Sequence, residues 1–428
     1  MRVFRNPSNE QIVEFLKLRG FSLSQLEREV AEIVQRVKEE GDRALGEFLR
    51  KFEKCPISVE QLRVSREEIE KAIVPEDFVE TVKHVVEDVR RYHLLQKEES
   101  RFFTTERGSI LGEMVVPLES VGIYVPGGKV PYFSTLLMCA VPAQVAGVRR
   151  IVVATPPDET GKVSPLILKC CEMLGIEEVY KMGGAHAIAA LAYGTESVKP
   201  VEKIVGPGGR FVTLAKKIVF GDVGIDSVAG PSEIAIIADD SAPKDYVAAD
   251  FLSQAEHDEM AMSVLITTSE ELFEGFPSLL LSQLNALPTE RKATAEEAIE
   301  NFGLLVFVDR LERAFEISNL IAPEHLEVMV KDPFRYLGMV RNAGSVFLGT
   351  YSCEPVGDYG AGPNHVLPTF GTARFSSGLR VSDFTKKVFF TYFSEKEFVE
   401  KFERYLKMAR WESLEAHAKA IEVRRRKT

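Results

Sequence analysis

Tryptophan occurs once, cysteine five times, and basic residues are outnumbered: Lys plus Arg is 53 against 64 Asp plus Glu, a net charge of −11. An acidic chain of this kind is a poor non-specific ligand for nucleic acid or anionic membrane. The basic run Arg424, Arg425, Arg426, Lys427 is too short to reverse that and reads as a solvated helix end, or else as a partner contact. The cysteines, Cys55, Cys139, Cys170, Cys171 and Cys353, are odd in number and lack Cys-x-x-Cys spacing. Neither a disulfide framework nor a zinc–thiolate site is supported. No stretch approaches the ~18 apolar residues of a membrane span, and Met1 to Arg19 holds no long apolar core of a signal peptide. The expected compartment is the cytoplasm. Short-period repeats and low-complexity tracts are also missing.

What is present is enough for two or three domains: 428 residues, 45% of them hydrophobic. The first hundred residues read as helices. Ser8 with Gln11, and Ser65 with Glu68, have capping-box spacing, and Gly20 is a natural stop. A pattern from Pro75 to about Lys97 puts Val79, Val82, Val86 and Val89 on one face. From about Ser109, β-branched apolar runs alternate with helical stretches. Strands are expected at Ser120–Val125, Arg150–Ala154, Glu178–Lys181, Lys203–Val205, Glu233–Ile237, Ser263–Thr267, Leu304–Val308 and Ser345–Leu348. Helices are expected at Thr135–Ala146, Pro165–Leu174 and Lys244–Ala255. Such alternation means largely parallel sheets with helices on both faces, here two doubly wound α/β domains.

Three glycine turns fall where strands end: Val125-Pro126-Gly127-Gly128, Gly183-Gly184 and Gly206-Pro207-Gly208-Gly209. Such turns let a backbone approach a ligand, and helix N-termini favour phosphate. No complete G-x-G-x-x-G exists, because Phe211 occupies the last position of the one that Gly206 and Gly208 begin. Taken singly, each turn reads first as a plain βα connection, with three in one α/β segment favouring at least one in a cleft.

Of seven histidines, His84 and His93 read as surface or packing residues of a charged helix. Gln254 and His257 are three apart at the end of a helical pattern and share a face, where a divalent metal could be held or the helix dipole merely complemented. Glu324 and His325 are adjacent before a strand. Neighbours on extended backbone point apart, so the two are expected to serve different partners or steps, unless the turn is an ordinary exposed one. The loop from Val356 to His365 holds Asp358, His365 and three glycines, the composition of a functional loop. Glu412 and His417 are five apart and, taken alone, read as helix surface.

As an ordered set these segments resemble the histidinol dehydrogenase family. The carriers are Val121–Gly128, Gly183-Gly184-Ala185, Gly206-Pro207-Gly208, Ala229–Glu233, Ser253-Gln254-Ala255-Glu256-His257, Ala322-Pro323-Glu324-His325-Leu326 and Asn364–Thr369. The resemblance runs over nearly the whole chain. It implies two incomplete Rossmann-like domains with small helical terminal segments. Their expected bounds are an N-terminal helical segment over 1–23, a discontinuous first domain over 24–123 and 232–378, a second domain over 124–231, and a C-terminal dimerisation segment over 379–428. It implies an intertwined homodimer, a zinc ion in each chain, and NAD-dependent oxidation of L-histidinol through the aldehyde to L-histidine. By motif, the zinc ligands would be Gln254, His257, Asp358 and His417. Substrate contacts would be Ser232, Gln254, His257, His325, Asp358, Glu412 and His417. Glu324 and His325 match the acid–base pair, and Tyr124 a tyrosine associated with NAD. Two positions depart from the family pattern: His186 stands where Gln is usual and Gly209 where Asn is usual.

The residue types suit that chemistry. An alcohol loses hydride readily only as its proton leaves, so a base such as His325 is required. The aldehyde must then add water, for which Glu324 is the expected activator. No nucleophilic cysteine is needed. Two other readings compete: a zinc hydrolase on an α/β scaffold, which leaves the glycine turns idle, and a non-catalytic metabolite sensor, which leaves Glu324 and His325 idle.

Overall fold

A computed structural model describes residues 1–19, 24–53, 55, 57–127 and 130–425. The expected helix stop at Gly20, the last glycine of the first turn, Gly128, and Arg426 and Lys427 of the basic run lie outside the described residues. The chain forms two compact units. One comprises Met1–Gln96 with Leu118–Phe384, the other Lys97–Pro117 with Thr385–Thr428.

Among the described residues the strands are β1 (Arg2–Arg5), β2 (Arg101–Thr104), β3 (Ile110–Pro117), β4 (Ser120–Tyr124), β5 (Arg150–Thr155), β6 (Glu178–Lys181), β7 (Lys203–Val205), β8 (Gly224–Ile225), β9 (Glu233–Ala238), β10 (Met262–Thr267), β11 (Leu304–Phe307), β12 (His325–Met329), β13 (Ser345–Leu348) and β14 (Thr385–Tyr392). The first unit contains two parallel sheets. One has the order β6-β5-β4-β7-β8, the other β1-β11-β10-β9-β12-β13. In each, the chain runs outward in one direction and then restarts on the other side of its first long strand, between β4 and β7 and between β9 and β12. That is the doubly wound pattern.

The central strands β4, β9, β10 and β12 are buried throughout and mostly apolar because helices cover both faces. On β9, Ile234, Ile236 and Ala238 join one buried cluster and Ala235 and Ile237 another. Val121 and Ile123 of β4 likewise face away from Tyr124. The helices Ser24–Glu40 and Asp42–Phe52 put Val30, Val34, Val37 and Leu45 into the cluster that holds Tyr124. The helix Phe78–Leu94 puts Val82 and Val89 on the opposite face of the same sheet.

These placements revise the expected boundaries. Within 24–123, the helices Ser24–Glu40, Asp42–Phe52 and Phe78–Leu94 bury their apolar faces in the clusters that flank the five-stranded sheet, while Lys97–Pro117 belongs to the second unit. Within 1–23, β1 pairs with β11, and Ile12 and Phe15 of the helix Asn9–Lys17 are buried with the six-stranded sheet. Leu379, Val381 and Phe384 are buried in the first unit, so the C-terminal segment starts as a separate unit at Thr385. The second unit is an antiparallel sheet, β14-β3-β2, followed by the helices Glu395–Trp411 and Glu415–Glu422.

Candidate active site

β9 and β12 are neighbours, and both begin with a polar residue at the amino edge of the six-stranded sheet: Glu233 and His325. A parallel sheet ordinarily binds ligands at its carboxyl edge; here the titratable cluster gathers at the other edge. The helix Lys244–Ala255 runs back from β9 towards that edge and delivers Gln254 near its end.

The peptide of Glu233 organises the pair. Its N–H donates to Glu324 Oε2 at 3.0 Å, and its carbonyl oxygen lies 3.1 Å from His325 Nδ1. Gln254 Oε1 is 2.9 Å from the same Nδ1. A carbonyl can only accept, so Nδ1 carries the proton and Nε2 the lone pair. Burial drives the imidazole down to a pKa of about 4, Asp358 opposing that shift, so the ring is neutral at physiological pH. Glu324 moves the other way: burial, then the Glu233 carboxylate, raises it well above the usual range, while the Glu233 N–H and the Ser232 hydroxyl pull it back. Its Oε2 is 4.0 Å from His325 Nδ1. The two side chains therefore converge on one peptide instead of pointing apart. Glu324 still lies in the turn before β12, just after Ala322 in the left-handed region at φ 54°, so strand alternation does not govern it.

Glu233 is itself anchored. Its buried carboxylate pairs with Arg19 and accepts the N–H of Phe370 at 3.1 Å; the Arg19 guanidinium lies 4.5 Å from the Phe370 ring centre. Arg19→Met strands that carboxylate without its cation. The variant is expected to lose about 3–5 kcal/mol of unfolding free energy, the usual consequence of breaking a buried pair. Urea denaturation within 1 kcal/mol of the parent, on the order of an exposed pair's worth, would show that Arg19 is not the anchor.

Beside this cluster, His257, Glu354 and Asp358 each bring one ligand atom within 4.8 Å of the others. His365 Nδ1 is 3.2 Å from the Asp358 carbonyl oxygen and 3.6 Å from its carboxylate. Glu354 is buried beside Asp358, and burial followed by that neighbour pushes its carboxyl up to about 10. Crowded carboxylates with an imidazole are a donor set that suits a divalent cation. Of the expected metal ligands, His257 and Asp358 are together, and Gln254 contacts His325. Glu354 was not expected. Its signal was the Glu354–Asp358 spacing of four, which one helical turn closes. Glu412 and His417 belong to the second unit, exposed at the end of the helix Glu395–Trp411 and on the helix Glu415–Glu422.

The three glycine turns lie at the carboxyl edge of the five-stranded sheet, after β4, β6 and β7. Gly184 N–H donates to the Tyr124 hydroxyl at 3.1 Å, and burial raises that phenol to about 12. Gly206 has φ 110°, and a Cβ there would meet the Tyr124 carbonyl oxygen at 2.2 Å, so that glycine is needed by the fold. Gly209 differs: it precedes the helix Arg210–Val219, makes no side-chain cap, and a Cβ on it would meet no atom within 4 Å. The helix Gly184–Tyr193 also starts without a side-chain cap. The uncapped N-terminus of Arg210–Val219, beside the switch point between β4 and β7, is suited to a phosphate of a dinucleotide.

The comparisons agree with this geometry. The histidinol dehydrogenase family pattern matches residues 17–425. A histidinol dehydrogenase of Thermotoga maritima is 67% identical, with all of both chains covered. One of Clostridium acetobutylicum is 48% identical over 97% of this chain and 96% of its own. The crystal structure of histidinol dehydrogenase from Elizabethkingia anophelis superposes with a TM-score of 0.92 at 38% identity, covering 99% of this chain and 98% of the other. The hydrolase reading finds no support among these relatives. With a family match over nearly its whole length and full-length relatives far above 30% identity, the chain belongs to the histidinol dehydrogenase family.

Proposed function

We propose that this chain oxidises L-histidinol through L-histidinal to L-histidine, with NAD as oxidant and one zinc ion per chain. The observation that carries the reading is the shared Glu233 peptide, which presents a neutral His325 with its Nε2 available as a base beside the carboxyl of Glu324. His325 Nε2 takes the hydroxyl proton as the alcohol becomes the aldehyde, and again as the aldehyde hydrate becomes the acid. NAD, when bound, supplies the hydride acceptor for both steps. Zinc, when bound, supplies a Lewis-acidic anchor for the substrate's imidazole and amine.

Gln254, His257 and Asp358 are the residues of the first unit that would hold the metal, with Glu354 next to them. Ser232, Gln254, His257, His325 and Asp358 would orient histidinol. Tyr124 would act indirectly, fixing the Gly184 turn beneath the dinucleotide. Glu324 shuttles the proton of the attacking water, and it gives up its own proton more readily once positive charge sits near Asp358. Glu324→Gln is therefore expected to impair oxidation of histidinal more than oxidation of histidinol. Equal losses with the two substrates would contradict a role in the hydration step.

A second copy of the chain is the proposed partner. Phe102, Phe103 and Phe389 on the second unit's sheet are 70%, 61% and 78% exposed, an apolar surface suited to burial between copies. The family resemblance favours Glu412 and His417 of one copy completing the site of the other. Refolding a mixture of the inactive His257→Ala and His417→Ala variants would then restore about a quarter of normal activity, from dimers with one site spared both lesions. No recovery would refute the exchange. None of the five cysteines is joined to another, which supports a reducing compartment such as the cytoplasm. Among the described residues no helix is long and apolar enough to cross a membrane.

A further inference from the structure

A cavity of about 270 Å³ opens at the carboxyl ends of β4, β5 and β6, with Phe52, Glu53, Gly127, Pro156, Gly183 and His186 in its wall. In a doubly wound dinucleotide fold, the strand next to the first carries an acid near its end that receives the hydroxyls of a ribose. Here that strand is β5, and after Thr155 it runs into Pro156 and Pro157; the next acid, Asp158, is exposed and turns its Oδ1 onto Thr160 and the Lys162 N–H, outside the cavity wall. Pro156 has another task. A Cβ on Gly127 would lie 2.3 Å from its ring and one on Gly183 2.8 Å, so both turns are packed directly onto it.

The missing acid is supplied from outside the sheet. Glu53 caps the helix Asp42–Phe52, and its side chain is only 5% exposed. Its Oε1 accepts the Gly183 N–H at 2.7 Å and lies 3.1 Å from His186 Nε2. His186 is in turn stacked on Phe52, with ring centres 6.0 Å apart and planes at 22°. Both donors meet one oxygen, which fixes the carboxylate and leaves Oε2 as the acceptor for a ligand. This also gives a purpose to His186, which departs from the family pattern: it orients the acid.

We propose that Glu53 receives a ribose diol of the dinucleotide and rejects a ribose bearing a 2′-phosphate, making this chain selective for NAD over NADP. The proposal rests on the reading that the chain uses a nicotinamide dinucleotide. A diol donates hydrogen bonds to a carboxylate. A 2′-phosphate replaces a donor by a group of about −1.5 to −2 charge and faces a fixed negative oxygen in a partly buried site.

Isothermal titration of the zinc-loaded protein with NAD and with NADP, without histidinol, tests this independently of turnover. The parent should bind NAD at least roughly 10-fold more tightly than NADP, the scale of a charge-assisted hydrogen bond. Glu53→Gln should weaken NAD and strengthen NADP, shrinking the ratio by about 10-fold or more. Glu53→Asp, which keeps the charge and guards against a folding artefact, should keep NADP excluded. Thermal unfolding of each variant reports its integrity. If NAD binds but Glu53→Gln and Glu53→Ala, both folded, leave the ratio unchanged, Glu53 does not select the cofactor and the dinucleotide reading stands. If the parent binds neither nucleotide, the dinucleotide reading itself fails.

Discussion

His325→Asn is expected to lower turnover by roughly 10²–10⁴-fold, the usual worth of a positioned base. The substitution is a close mimic of half the imidazole. An asparagine amide N–H can occupy the place of Nδ1–H, between the Glu233 carbonyl and Gln254 Oε1, so the local hydrogen bonds survive. What it removes is Nε2, the only lone pair the ring has to offer. The loss should therefore fall on kcat, with the KM for histidinol changing far less. Near-normal turnover would remove His325 from the chemistry, and a loss confined to KM would reduce it to a binding residue.

Exhaustive chelation is expected to abolish turnover, and added zinc to restore it. His257, Glu354 and Asp358 bring an imidazole and two carboxyl groups within 4.8 Å, with the Glu354 carboxyl pushed up by burial and by Asp358. Positive charge relieves that crowding, so the cluster is a better metal site than a self-contained hydrogen-bonded one. Protein purified without chelator should contain about one zinc per chain. Full activity in a chelated sample free of metal would overturn the assignment. His257→Ala provides a parallel test, since it should lose bound metal while leaving the fold intact: His257 is exposed at a helix end.

Much of the parallel architecture is legible in the sequence because its strands are buried on both faces. The six residues of β9, Glu-Ile-Ala-Ile-Ile-Ala, form an apolar run after the first position, and the expected span differs from the observed one only by Ala238. β1 is different. Arg-Val-Phe-Arg is an edge strand with largely exposed side chains, and nothing in four such residues announces a long-range partner. β2 and β3 escape for the same reason, since their sheet buries neither face fully. The grouping of the helices is less legible. Apolar faces on Ser24–Glu40 and Asp42–Phe52 predict that they pack, but not on which sheet.

The site was partly legible. His257, Asp358, Glu324 and His325 stand in recognisable segments, and their own residue types suggest chemistry. The backbone that joins the last two does not: Glu233 acts through its peptide, which any residue possesses, and its carboxylate is accounted for by Arg19, 214 positions away. Glu354 is masked by its setting between Cys353 and Pro355, and its value depends on a short helical turn that forms only in the folded chain. In the same way, Glu53 reads as one more acid at the end of a charged helix until β5 is seen to end in two prolines.

The most direct test of the central claim is the stoichiometry of a closed reaction. With limiting L-histidinol, excess NAD and zinc-loaded protein, NADH formed and histidine produced are measured at completion. Two NADH and one L-histidine are expected for each histidinol consumed, because His325 serves both oxidations and Glu324 the hydration between them in one site. One NADH per histidinol with the aldehyde left over, or no NADH at all, would contradict it.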